Sequence, residues 1–359
     1  MDKILTDRQT DRQTDRQTDR QTDRQTDRQT DRQDYYAIDL VKFCMAILVV
    51  AIHTGPFEYS DYPIKRLFAT ITEIAVPFFF VTSGFLLFRN TDWKLRIGRY
   101  AKRMARLYVV WNIVYLPISI FGFIHDGVSI GTALLQFIRG FFLIGQQFYS
   151  WHLWYVLALI YAAVIFYSMR KTTINVRYFV SLALFVIGAA VSAIVLDGSN
   201  ITTFSVIIRM AKQTIINGRL FMGIGYFALG MLIAEKKMIY NKNALIAVAF
   251  GCIVLSYIVP YSIIVFALRY ITVICLFLFV IQIYLPASDV YVKLRHSSKV
   301  VYFTHMLFFF TWSAIKSFQD VNGMDVFVIV TSMTVITSLL IIAHKDEKSY
   351  NKIYNAFFG

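Results

Sequence analysis

From residue 35 onward, apolar stretches alternate with short polar connectors. Ten such stretches fall at roughly 36–54, 67–88, 107–124, 148–169, 178–196, 218–234, 244–260, 261–285, 300–316 and 325–343. An α-helix needs about 20 apolar residues to cross a hydrocarbon core about 30 Å thick. Backbone groups in lipid must find partners within their own segment, which selects helices. The pattern therefore predicts an all-α polytopic membrane protein: a bundle of about ten transmembrane helices forming one domain over 35–345. The stretch 130–147 is shorter and carries Arg139, so it reads as an interfacial or re-entrant piece.

Ahead of the first span the pattern is different in kind. Residues 6–33 are seven uninterrupted copies of Thr-Asp-Arg-Gln. The unit has no apolar residue to bury against the entropy of ordering. Its period of four also drifts about 40° per copy around a helix of 3.6 residues per turn, so no stripe accumulates. Residues 1–34 are expected to be a disordered or transiently helical tail. Thr-Asp-Arg-Gln can be encoded ACA GAC AGA CAG, which is the tetranucleotide ACAG repeated. Because four bases do not divide into codons, gain or loss of one unit shifts the reading frame ahead of the membrane domain.

Composition agrees with the membrane reading. Only 16% of residues are charged and 57% are hydrophobic, against about a quarter charged in soluble domains. The repeat is neutral, so the net charge of +14 belongs to the rest of the chain. In a soluble protein that excess would point to nucleic acid; among membrane spans it points to basic cytoplasmic loops, and no nucleic-acid partner is expected. The connector RNTDWKLRIGRYAKRMAR, the loops RKTTINVR and EKKMIYNKN, the segment VKLRHSSK and the tail HKDEKSYNK are all basic. If ten spans alternate, these five share one side, which places both termini in the cytoplasm and makes 346–359 a short cytoplasmic tail. Cys44, Cys252 and Cys275 lie inside apolar runs without metal-ligand spacing, so they read as small hydrophobes and no metal is expected. The polar N-terminus shows no cleavable signal peptide.

Charged groups inside a span are costly and are functional candidates for that reason. The first span, YYAIDLVKFCMAILVVAIHTGPF, holds Asp39, Lys42 and His53. Asp39 and Lys42 are three apart and able to pair on one helical face. His53 follows Lys42 by eleven residues, near three full turns, so both point the same way about 16 Å apart along the axis. Lys42 alone could be a snorkelling interfacial residue, and His53 alone a hydrogen-bonded histidine near the headgroups; their shared stripe weakens both ordinary roles. Glu73, at similar depth in the second span, could orient His53 as a general base or cap a helix. Ser83 and Gly84 permit close helix packing. Arg103 and Arg106 lie three apart at the cytoplasmic mouth of the third span, placed to grip phosphates or anionic lipid. Arg269, His152 and His305 are further intramembrane polar groups, read together with Asp39 as candidates for binding substrate.

The stretches DLVKFCMAILVVAIH, VPFFFVTSGFLLF, KRMAR and VYFTHMLF together resemble the acyltransferase-3 family of integral membrane O-acyltransferases. The resemblance spans essentially all of 35–345. The family usually carries Arg where this chain has Lys42; members that look similar here include the membrane halves of vancomycin-resistance serine racemases. With no SGNH-hydrolase-like domain following, the chain resembles stand-alone members. The resemblance implies transfer of an acetyl group from cytoplasmic acetyl-CoA to a hydroxyl of a cell-surface or lipid-linked polysaccharide, at a bacterial inner membrane. It implies a donor site at Lys42, Arg103 and Arg106, with His53 as general base and Glu73 orienting it. The competing expectation is a transporter of a small polar solute such as serine. Inverted-repeat transporters show matching broken helices in two halves, and no such internal symmetry is visible here.

Overall fold

A computed structural model describes residues 35–197, 219–236, 240–344 and 347–359. The tetrapeptide repeat and the rest of the 1–34 tail lie outside the described residues. The described chain is a helical membrane bundle, with no strand among the described residues. Seven helices are long and apolar enough to cross a membrane by length and composition. They are α1 (Tyr36–Thr54), the pair α2 (Tyr62–Thr72) and α3 (Ala75–Phe88) taken together, α4 (Trp93–His125), the run Trp151–Ser168, α7 (Ile174–Asp197), α10 (Ser262–Val280) and α12 (Met324–Ala343). The helix α6 (Trp154–Ser168) is the main part of the fourth of these. Helices α8 (Arg219–Lys236), α9 (Lys242–Ile258) and α11 (Asp289–Ile315) occupy the three remaining apolar segments. The short helix α5 (Ile130–Arg139) runs into a π turn at Gly140–Ile144, and together these are too short to be a full span.

Two elements differ from the expected boundaries. The second span is broken between Thr72 and Ala75, where the Glu73 N–H still bonds the Ala69 carbonyl before Ile74 leads into α3. The basic connector before the third span is largely helix, since α4 begins at Trp93 and runs 33 residues past an internal Pro117. Arg and Lys are good helix formers, and the helix simply continues out of the apolar zone. Asp92, at its start, bonds Arg96, and that bond holds its carboxyl below the usual range. Helix α13 (Lys348–Phe358) folds back along α4.

The core is built where α3 meets α8 and where α1 meets α11. Without a hydrophobic force between helices in lipid, close backbone approach through small residues drives packing. Gly84 lies against the Phe227 carbonyl and Gly230 against the Val81 carbonyl, so a Cβ at either position would collide with backbone. This is the close packing that the Ser83–Gly84 pair predicts. Replacing Gly84 or Gly230 by valine is expected to cost about 3 kcal/mol from overpacking, read as a lower melting temperature and loss of monodisperse protein in detergent. The same change at Gly251, which has open space around its Cβ position, should leave both measures unchanged. Of the cysteines, Cys252 and Cys275 are buried as expected, whereas Cys44 is exposed on the outer surface of the bundle.

Candidate functional site

Two cavities lie along the α1 stripe that carries Lys42 and His53. The first, of about 700 Å³, is lined by Lys42 of α1, Arg96, Arg99 and Arg103 of α4, and Lys299 of α11. Five cations line it and no Asp or Glu does, among the described residues. Arg96, Arg99 and Arg103 stand at i, i+3 and i+7, one face of a helix, so the extension of α4 into the basic connector is what gathers them. Cations on low-dielectric walls focus a strong field for an anion. The volume is ordinary for a small-molecule site, which ranges over about 300–1,000 Å³.

The second cavity, of about 310 Å³, is lined by His53, Glu73, His152, Arg219 and Arg269 among others. His53 enters from α1. His152 sits in the turn Trp151–Leu153 that precedes α6. Tyr149, just before that turn, holds a left-handed φ of 54°, a rare conformation for a bulky residue. Ser150 Oγ accepts from the Gln147 N–H at 2.9 Å, and this tight bend sends His152 inward, where it is 2% exposed.

His305 of α11 lies behind both histidines. Its ring centroid is 5.3 Å from that of His53 and 5.0 Å from that of His152. Carbonyls only accept, and those of Tyr302 and Val301 lie 2.8 and 3.1 Å from its Nδ1. The neutral His305 ring therefore keeps its proton on Nδ1 and leaves Nε2 as an acceptor toward its neighbours. Both ring nitrogens of His152, and Nε2 of His305, have no hydrogen-bond partner among the described residues.

Tyr155 and Tyr302 line both cavities and form the wall between them. Their rings stand 5.6 Å apart, centroid to centroid. The Tyr155 hydroxyl meets Ser83 Oγ at 3.0 Å, and the Tyr302 hydroxyl donates to the His152 carbonyl. These two tyrosines, with Arg96, Arg99, Lys299 and Arg219, went unread in the sequence. Aromatics on α6 and α11 carry the same signal whether they fill a core or line a site. Arg96, Arg99 and Lys299 read in sequence as diffuse charge of basic connectors, whereas Arg219 stands at the edge of the apolar segment 218–234.

The candidates divide as follows. Lys42 and Arg103 line the basic cavity; Arg106 does not, and donates instead to the carbonyls of Asn355 and Gly359 at the end of α13. Asp39 lines neither cavity. Its carboxylate accepts from Nε and an Nη of Arg295 at 2.9 and 2.7 Å, so the expected pairing with Lys42 gives way to a bond across to α11. The forked guanidinium reaches both donors to one carboxylate. His53, Glu73, His152 and Arg269 meet in the second cavity, and His305 backs it. The Glu73 carboxylate is bonded by Arg269, so its hydrogen-bond partner is an arginine of α10 and not His53.

The fold and site define a class: a multi-pass helical membrane protein with a cationic cavity and a histidine cavity in tandem. Residues 35–343 match the family described as Acyltransferase domain, and the chain belongs to that acyltransferase-3 family. Among curated proteins it is 30% identical over 217 residues to an amino-acid racemase of Enterococcus faecalis, covering 59% of this chain and 30% of that protein. It is 30% identical over 141 residues to a serine/alanine racemase of Enterococcus gallinarum, covering 37% of this chain and 19% of that one. The chain thus spans less than a third of the length of these relatives. No solved structure matches.

Proposed function

We propose that the protein transfers an acetyl group from cytoplasmic acetyl-CoA to a hydroxyl of a cell-surface or lipid-linked polysaccharide at the bacterial inner membrane. The observation that carries this reading is the pair of cavities sharing Tyr155 and Tyr302, one lined by five cations and the other by His53. In this reading Lys42, Arg99 and Arg103 hold the phosphates of the donor. The thin pantetheine arm passes the tyrosine wall, bringing the thioester toward His53. His53 takes the proton of the acceptor hydroxyl as the oxygen attacks the thioester carbonyl. The C–S bond then breaks, the acetyl ester forms, and the thiolate leaves to be protonated. An imidazole in its neutral form keeps one ring nitrogen free to accept a proton, which is what this role needs. His305, with Nε2 free to accept, supports the His53 ring, and Glu73 shapes the acceptor side through Arg269.

In this reading ten spans alternate with both termini cytoplasmic, so that the basic cavity opens on the side where acetyl-CoA resides. The direct test is release of CoA thiol from acetyl-CoA by the protein reconstituted in vesicles of its own envelope lipids. Wild type should release thiol, and no release above empty vesicles would remove the proposal.

The repeat bears on when the enzyme is made. We propose that its gene is switched on and off by tetranucleotide slippage, which suits an enzyme that alters an exposed glycan. Sequencing the repeat in many descendants of one colony should find copy numbers that put the membrane domain in and out of frame. A run broken by synonymous codons, or one fixed copy number in every descendant, would contradict it.

A further inference from the structure

The histidine cavity holds more positive charge than the acyl transfer uses. Arg219 and Arg269 both line it, against the single carboxylate of Glu73. That carboxylate is bonded by Arg269, whose guanidinium also lies 5.5 Å from the centre of the Phe266 ring. Arg219 has no hydrogen bond to any described residue. Its guanidinium rests 5.9 Å from the centre of the Trp154 ring, and the residue lines the cavity. A guanidinium held in low-dielectric surroundings without an anion of its own is costly, and its fork of donors matches carboxylate and phosphate oxygens.

A second observation points the same way. His152 lines the same cavity, is 2% exposed, and has no partner for either ring nitrogen. A buried imidazole left in this way is costly unless a ligand supplies the missing bonds. Two arginines and one glutamate leave the cavity one positive charge in excess, apart from its histidines.

We propose that the acceptor carries an oxyanion, a carboxylate or a phosphate, which Arg219 binds while the neighbouring hydroxyl faces His53. Recognition of that group selects an acidic saccharide over a neutral one, with His152 as a further donor to it. Arg219 is thus a specificity-determining residue, and the inference rests on the acyl-transfer reading above.

The test uses the full chain in detergent, saturated with CoA so that the basic cavity is filled. Thermal stabilisation is titrated with methyl β-D-glucuronide, α-D-glucose 1-phosphate and neutral methyl β-D-glucoside. One or both anionic sugars should stabilise the protein, and the neutral glucoside should do so at least about tenfold more weakly. The responding probe tells carboxylate from phosphate. In Arg219→Gln the apparent Kd for that probe should rise about tenfold or more, the loss of one charged hydrogen bond. Arg219→Lys keeps the charge without the fork and should fall between. Stabilisation by CoA itself should be unchanged in both variants, which also shows that they fold. Equal response to neutral and anionic sugars, response to none, or an unaltered Kd in Arg219→Gln would overturn the proposal. Absence of any CoA response in wild type would instead count against the acyl-transfer reading.

Discussion

Replacing His53 by alanine is expected to lower acyl transfer about a thousandfold while leaving the protein folded. Loss of a positioned general base removes about 10²–10⁴ of rate, or about 4 kcal/mol of barrier at the middle of that range. His53 lines the second of the two cavities on the α1 stripe, so truncation mainly leaves space where a ligand belongs, at the loss of its ring contacts with Trp151 and His305. The loss should therefore fall on kcat, with the affinity for acetyl-CoA unchanged, because the proposed function puts the donor's phosphates toward Lys42. The measurements are CoA thiol release by reconstituted protein and the O-acetyl content of surface glycan by NMR in a complemented deletion strain. A variant that keeps full acetylation would remove His53 from the chemistry.

Arg103→Gln should raise KM for acetyl-CoA about ten- to hundredfold, with a smaller change in kcat. Hydrogen bonds to charged groups contribute about 1.5–3 kcal/mol each, and 1.4 kcal/mol is a factor of ten in affinity. Arg103 lines the basic cavity, beside Tyr100, whose ring centre is 5.6 Å from its guanidinium. Arg106 is the informative comparison. It stands three residues on in the same motif, yet its guanidinium is spent on the carbonyls of Asn355 and Gly359. Arg106→Gln should therefore change KM by no more than a few fold and act mainly on the docking of α13. Raised salt should weaken acetyl-CoA binding to wild type more than to Arg103→Gln, because one screened contact is already gone. Equal KM effects from the two substitutions would contradict the division of the pair.

The apolar pattern was enough to place a helix at each span, because a run of about 20 apolar residues has few other uses. The α1 stripe was legible for a local reason: eleven residues of one helix fix the relative direction of Lys42 and His53. Contacts between distant elements were not. Asp39 finds Arg295 across 256 residues and Glu73 is bonded by Arg269 across 196, and spacing within one helix cannot say which other helix will face it. The nearer partner, Lys42 for Asp39, was the natural local choice, but α11 brings a forked donor to the same carboxylate. Arg96 and Arg99 were hidden by an assumption about secondary structure: in a loop they are diffuse charge, on the extended α4 they line a cavity with Arg103. Tyr155 and Tyr302 were hidden by chemistry, because a tyrosine in a wall between two cavities looks in sequence like one in a core.

In the proposed function one bilayer-embedded site consumes acetyl-CoA and makes an ester, in place of carrying a solute. Its most direct measurement follows both reactions in one preparation: the protein in sealed vesicles of envelope lipid, given acetyl-CoA and radiolabelled serine. CoA thiol should be released in step with acetyl ester formed on the lipid-linked glycan, both should be lost in His53→Ala, and no serine should accumulate. Serine gathered inside the vesicles while acetyl-CoA stays intact would contradict it.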